Sequence, residues 1–157
     1  MNIKGGCTLN VSKKINRIYE YLNNKSDVNI VDAPYFKAIK SLTSFDDDQL
    51  CWIAINNKAI TSEREELCIL EEERAHYDVG IIPTNCFSNS YADKLSRERN
   101  EYRAKRKAVE RLVPRDKLLN VMKNLPCIYV DALADAFEVT TDFMLDALKV
   151  YGYELVY

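Results

Sequence analysis

Apolar side chains recur at helical spacing over most of this chain and alternate as in strands over two short stretches. Ser12 is a candidate cap for a first helix that places Ile15 and Leu22 on one face. The stretches 28–31 and 50–55 are rich in β-branched and aromatic residues and are bounded by polar turn residues. The pattern therefore predicts two strands that follow an amphipathic helix.

Helical spacing dominates the remainder of the sequence. A helix is predicted from Thr61 or Ser62 to about Val79, with acids filling its first turn and Gly80 as its C-cap. The loop 81–90 follows, long enough to shape a cleft. Further helices are predicted over 91–113, 116–125, 129–137 and 141–151. We expect an α+β fold that is mostly helical, with a small antiparallel sheet and a C-terminal helical hairpin.

Length and composition predict one compact unit. The chain has 157 residues, of which 47% are hydrophobic and 29% charged, enough for one ordinary core. We expect residues 1–126 to form the main domain and residues 127–157 a helical hairpin packed on it. The five cysteines form no C-x-x-C pair, and the sequence has neither a secretory h-region nor a membrane-spanning apolar run. These features predict reduced thiols and a soluble cytoplasmic protein.

Charge is distributed unevenly, although its total is only -2. Residues 63–78 contain seven acids and two bases, whereas residues 94–123 contain eleven bases and four acids. We expect these two segments to attract each other. Residues 127–157 contain six acids and one base, which phosphate would repel, so the closing hairpin is interpreted as structural rather than DNA-binding. Neither a nucleic-acid partner nor a membrane partner is expected.

The segment Glu72-Glu73-Arg74-Ala75-His76 carries the candidate chemistry. Its spacing is that of the H-E-x-x-H zinc-peptidase helix, with the first histidine replaced by glutamate. Glu72 and His76 project from one helical face and can bind one ion, while Glu73 lies beside them as a general base for a metal-bound water. The segment predicts a metal-assisted hydrolytic site.

A third metal ligand must come from another element. Glu101 is the best candidate, because it lies on the next long helix and is followed on the same face by Ala104 and Ala108. Small residues at these positions let two helices approach closely. A structural role remains open for His76, since a lone histidine in an acidic helix is more often a packing or surface residue than a ligand.

Over about residues 53–153 the chain resembles the ImmA/IrrE-like metallopeptidases, small cytoplasmic zincins often encoded beside phage-type repressors in bacterial mobile elements. The features that carry the resemblance occur in the family's order. They are the strand Ile53-Ala54-Ile55-Asn56, the helix from Cys68 to Tyr77, the segment from Glu101 through Ala104 and Ala108 to Leu112-Val113-Pro114, and the tail from Leu133 to Thr140.

The resemblance implies that His76 and Glu101 are metal ligands and that Glu73 is the catalytic base. Glu72 stands where the family has histidine, and Arg74 and Ala75 replace an aliphatic residue and glycine. By family the metal is zinc. Two carboxylates and one imidazole make the centre less positive, however, which favours manganese or iron(II) and weakens the activation of water.

Two functions follow as alternatives. The first is a metal-dependent endopeptidase that cleaves a cytoplasmic partner, by family analogy a phage-type helix-turn-helix repressor of a mobile element. The second is a non-catalytic zincin-like protein that binds such a regulator without cleaving it. Glu73 favours the first function, because a protein that only binds has no need of a base. The missing histidine favours the second.

Overall fold

The computed structural model describes residues 11–80, 90–125 and 128–153. This part of the chain forms six helices and three strands, which confirms an α+β, mostly helical fold. In chain order the elements are α1 Val11–Asn23, β1 Val28–Asp32, β2 Ser41–Phe45, β3 Cys51–Ile55, α2 Glu63–Val79, α3 Tyr91–Leu112, α4 Arg115–Asn124, α5 Val130–Phe137 and α6 Thr141–Val150.

The sheet is mixed, not antiparallel as predicted. Its strand order is β1-β3-β2, in which β1 pairs with β3 in parallel and β2 pairs with β3 antiparallel. The chain between the two predicted strands contains β2, which the sequence did not predict. It supplies the antiparallel neighbour and leaves β1 and β3 running in the same direction.

The first apolar core lies between α1, the sheet and α2. Alternation in β3 turns Cys51, Ile53 and Ile55 inward, where they meet Leu22 of α1 and Leu70 of α2. Each of these side chains is at most 2% exposed. Ser12 does not cap α1, because it lies within the helix.

The second core joins α2, α3 and α4 to the C-terminal hairpin of α5 and α6. Buried residues of this core include Ala75, Ala108, Leu118, Leu133 and Met144. The described part of the hairpin thus shares a core with α2, α3 and α4. A domain boundary after residue 126 stays a prediction, because residues 126 and 127 lie outside the described residues.

The two ends of α2 lie where the sequence predicts them. The Ser62 hydroxyl accepts a hydrogen bond from the backbone N–H of Glu65, and the Gly80 N–H donates to the carbonyls of His76 and Tyr77. Gly80 has a φ of 70°, a conformation that favours glycine. The helix that carries the motif is therefore fixed at both ends.

The predictions about the cysteines and about the loop after α2 can be compared with the structure only in part. Cys51 and Cys68 are free and buried, as expected, but the other three cysteines and the loop 81–89 lie outside the described residues. No described helix is both long and apolar enough to cross a membrane.

Candidate active site

Helix α2 places its motif between the sheet and α3. Leu67 and Leu70 face the first core, whereas Cys68 and Ala75 face the second. Glu72 and His76 are one turn apart on the strip of helix surface between these two buried faces. The sequence therefore turns both motif residues away from the cores and toward a shared surface.

His76 and Glu101 meet across the contact between α2 and α3. The Nε2 atom of His76 lies 3.6 Å from Oε2 of Glu101. The approach depends on Ala104 and Ala108, which are fully buried. Donors bound to one tetrahedral zinc at about 2.1 Å lie about 3.4 Å apart, so this separation suits two ligands of one ion.

The third predicted ligand is the carboxylate of Glu72, which lies one turn before His76 on α2. It makes no hydrogen bond or ion pair with any residue in the described ranges, although three of its neighbours are charged: Glu73, Lys105 and Asp146. Burial raises the pKa of the Glu72 carboxyl, and the charge of Lys105 opposes that rise. A half-buried carboxyl group without a bonded partner suits a ligand position better than a structural one.

Lys105 links this acidic surface to the C-terminal hairpin. Its ammonium group donates a 2.6 Å hydrogen bond to Asp146 of α6. Burial lowers the pKa of Lys105, but the hydrogen bond to Asp146 and the charge of Glu72 outweigh that effect and raise it. The sequence placed Lys105 only within a generally basic segment, so its position beside the site is new.

Glu73 points toward the sheet. Its carboxylate accepts a hydrogen bond from the Thr43 hydroxyl of β2, and the residue is 6% exposed. No other described strand pairs with the outer edge of β2, because β2 is the last strand of the sheet. The candidate base is therefore oriented by an edge strand. Sequence analysis missed Thr43 because it missed β2.

A buried ion network fixes the opposite side of α2. Glu71, which is 3% exposed, accepts a 2.9 Å hydrogen bond from Arg111 and lies 3.5 Å from Arg74. Arg111 also binds Asp78, which accepts a 2.7 Å hydrogen bond from Tyr21 of α1. These pairs confirm the expected attraction between the acidic and basic segments, and they set the rotation of α2 about its axis.

The four predicted site residues thus occupy one region, but they do not form a closed metal cage. Among the described residues, no group of three histidine, cysteine, aspartate or glutamate side chains is arranged to hold an ion. His76 and Glu101 are placed as a pair of ligands, and Glu72 adds a carboxylate of the right chemical type. The donors fit a divalent ion, and the metal site stays a prediction.

Comparison with known proteins does not assign the chain to a family. No protein-family model matches the chain, and no curated protein or solved structure is significantly similar to it. The function must therefore be argued from the residues of the site.

Proposed function

We propose that this protein is a metal-dependent endopeptidase that cleaves a partner protein, of the kind represented by the helix-turn-helix repressors of phage-related mobile elements. The observation that carries the proposal is the 3.6 Å approach of His76 to Glu101 from two different helices, with Glu73 on the adjoining strip of α2. The reduced and buried Cys51 and Cys68 are in keeping with action in the cytoplasm.

The chain's own residues account for the proton transfers of peptide hydrolysis. Glu73 removes a proton from water as the water oxygen attacks the scissile carbonyl carbon, and it then gives that proton to the leaving nitrogen. Thr43 orients the Glu73 carboxylate through its hydroxyl. When bound by Glu72, His76 and Glu101, a divalent ion would polarise the carbonyl and lower the pKa of the water.

An extended substrate segment could bind beside Glu73, the proposed base. Within the described ranges no strand pairs with the outer edge of β2, and an incoming strand could hydrogen-bond to the backbone groups there. Because Thr43 belongs to β2, a peptide held on that edge would pass close to Glu73.

Glu72 affects the choice of metal. Two carboxylates and one imidazole neutralise a divalent ion, whereas two imidazoles and one carboxylate would leave it positive. Oxygen-rich sites suit manganese or iron(II) better than a nitrogen-rich site does. We expect weaker activation of water than in a site with two histidines.

One observation favours the alternative function, a non-catalytic protein that binds the same kind of regulator. Glu73 is 6% exposed and is already hydrogen-bonded to Thr43, so its carboxylate must turn or share that bond to reach a water. A base that stayed locked in this contact would leave only a binding surface.

Metal-dependent cleavage is the direct test of the proposal. The purified protein would be incubated with zinc, manganese or iron(II), together with a mixture of internally quenched peptides and a helix-turn-helix repressor. We expect bond cleavage that stops when a chelator is added and resumes when the metal is restored, with manganese or iron(II) more effective than zinc. Repressor that is bound but intact with every metal would instead support the non-catalytic alternative.

A further inference from the structure

The middle of α3 carries a second surface, distinct from the candidate active site. Here the exposed side chains of α3 form a groove of about 440 Å³. Tyr102, one of the residues that line it, is 54% exposed. The groove is lined by Leu95, Glu98, Arg99, Tyr102, Arg103 and Arg106.

The apolar part of this groove continues a face of α3 that is buried further along the helix. Tyr91, Leu95, Tyr102 and Val109 share one side of α3 by helical spacing. Val109 is fully buried in the second core, whereas Tyr91 is 81% exposed. The face is thus buried in the second core at one end, whereas at the other end no residue of the described ranges covers it, which leaves apolar area for a partner.

Two arginines beside this apolar strip, Arg99 and Arg103, are not paired with any part of the chain that the structure describes. Arg99 and Arg103 make no hydrogen bond or ion pair with any residue of the described ranges, whereas the neighbouring Arg106 binds Glu110 at 2.8 Å. A guanidinium group presents a planar fork that matches a carboxylate, and it is enriched where proteins recognise acidic groups. The groove therefore combines two apolar side chains, Leu95 and Tyr102, with two cationic groups that no described residue pairs.

The surrounding charge favours a protein segment over nucleic acid. The adjacent hairpin, over residues 128–153, carries five acids and one base. A duplex spans a wide surface and would meet that acidic region, whereas a short peptide needs only the groove itself.

We propose that the groove on α3 docks an acidic segment of a partner protein. An apolar side chain of that segment packs between Leu95 and Tyr102, and its carboxylates pair with Arg99 and Arg103. The docking requires neither a metal nor Glu73, so the inference goes beyond the proposed peptidase function and can fail or succeed separately from it.

The test measures binding to three labelled peptides of equal length by fluorescence anisotropy, without added metal. The first contains glutamates around two leucines, the second replaces the leucines by alanine, and the third replaces the glutamates by lysine. We expect the wild-type protein to bind the first peptide at least about tenfold more tightly than the other two. Tyr102→Ala should weaken that binding several-fold.

Charge reversal locates the binding surface. The double variant Arg99→Glu/Arg103→Glu should lose about tenfold or more in affinity for the first peptide. A matched control, Lys13→Glu/Arg17→Glu, makes the same change of charge at exposed positions with the same spacing on α1 and should bind like wild type. Equal losses in both double variants, tighter binding to a DNA duplex than to the first peptide, or no binding of that peptide to wild type would overturn the proposal.

Discussion

Glu73→Gln is expected to lower the rate of peptide-bond cleavage by about 10² to 10⁴ fold, the usual contribution of a general base. Glutamine keeps the shape of the side chain and can still accept the Thr43 hydrogen bond, but it cannot take a proton from water. Metal content and repressor binding should be unchanged. The measurement is initial cleavage rate together with partner affinity, both on metal-loaded protein.

Two further variants make this result specific to Glu73. Thr43→Val removes the orienting hydroxyl and should reduce cleavage by about tenfold, because the base remains present but less well aligned. Glu66→Gln changes an acid of the same helix that binds Tyr19 at 3.3 Å, and it should leave the rate unchanged. Equal activity of Glu73→Gln and wild type would rule out Glu73 as the base.

Arg111→Met is expected to lower the free energy of unfolding by about 3 kcal/mol. The change removes one guanidinium partner from Glu71, which is 3% exposed, and from Asp78. Arg74, 3.5 Å from Glu71, compensates only in part. The measurement is denaturant unfolding of both proteins at neutral pH.

The matched control is Arg106→Met, which breaks an ion pair whose two side chains are 60% and 50% exposed. Such surface pairs contribute little, so the loss should be much smaller than that of Arg111→Met. A loss for Arg111→Met no greater than that of Arg106→Met would show that the buried network does not stabilise the contact between α2 and α3.

The loss of unfolding free energy in Arg111→Met should also depend on pH. Burial raises the pKa of the Glu71 carboxyl, and Arg74 and Arg111 oppose that rise, so removal of Arg111 raises this pKa further. Burial also raises the pKa of Asp78, but Tyr21 and Arg111 outweigh it and hold the pKa below its usual range. Arg111 thus stabilises the ionised carboxylates. The difference between variant and wild type should be full at neutral pH. It should begin to shrink while the pH is still above the ordinary glutamate pKa of about 4.3, because the pKa of Glu71 is raised, and be lost completely only as the pH falls through the lowered pKa of Asp78.

The sequence predicted α2 and its contact with α3 because those features depend on local signals. Ser62 and Gly80 define the ends of the helix, and both act as caps in the structure. The small residues Ala104 and Ala108 indicated a close approach of two helices, and both are fully buried. The position of Glu101 next to His76 followed from these signals and from helical spacing.

Features that depend on tertiary pairing were not predictable in the same way. Strand β2 has five residues, of which three are polar, and none of its side chains is fully buried, so its apolar pattern is weak. Because β2 was not predicted, neither the mixed topology of the sheet nor the contact of Thr43 with Glu73 could be predicted. The pairing of Lys105 with Asp146 joins residues 41 positions apart, which no local pattern specifies.

The central claim is that Glu72, His76 and Glu101 bind a divalent metal. Elemental analysis of protein purified without chelator, beside His76→Ala prepared identically, tests it most directly. The account predicts roughly one equivalent of a transition metal in wild type, manganese or iron(II) in preference to zinc, and loss of that metal in the variant. Wild-type protein that holds no metal even after supplementation would contradict it.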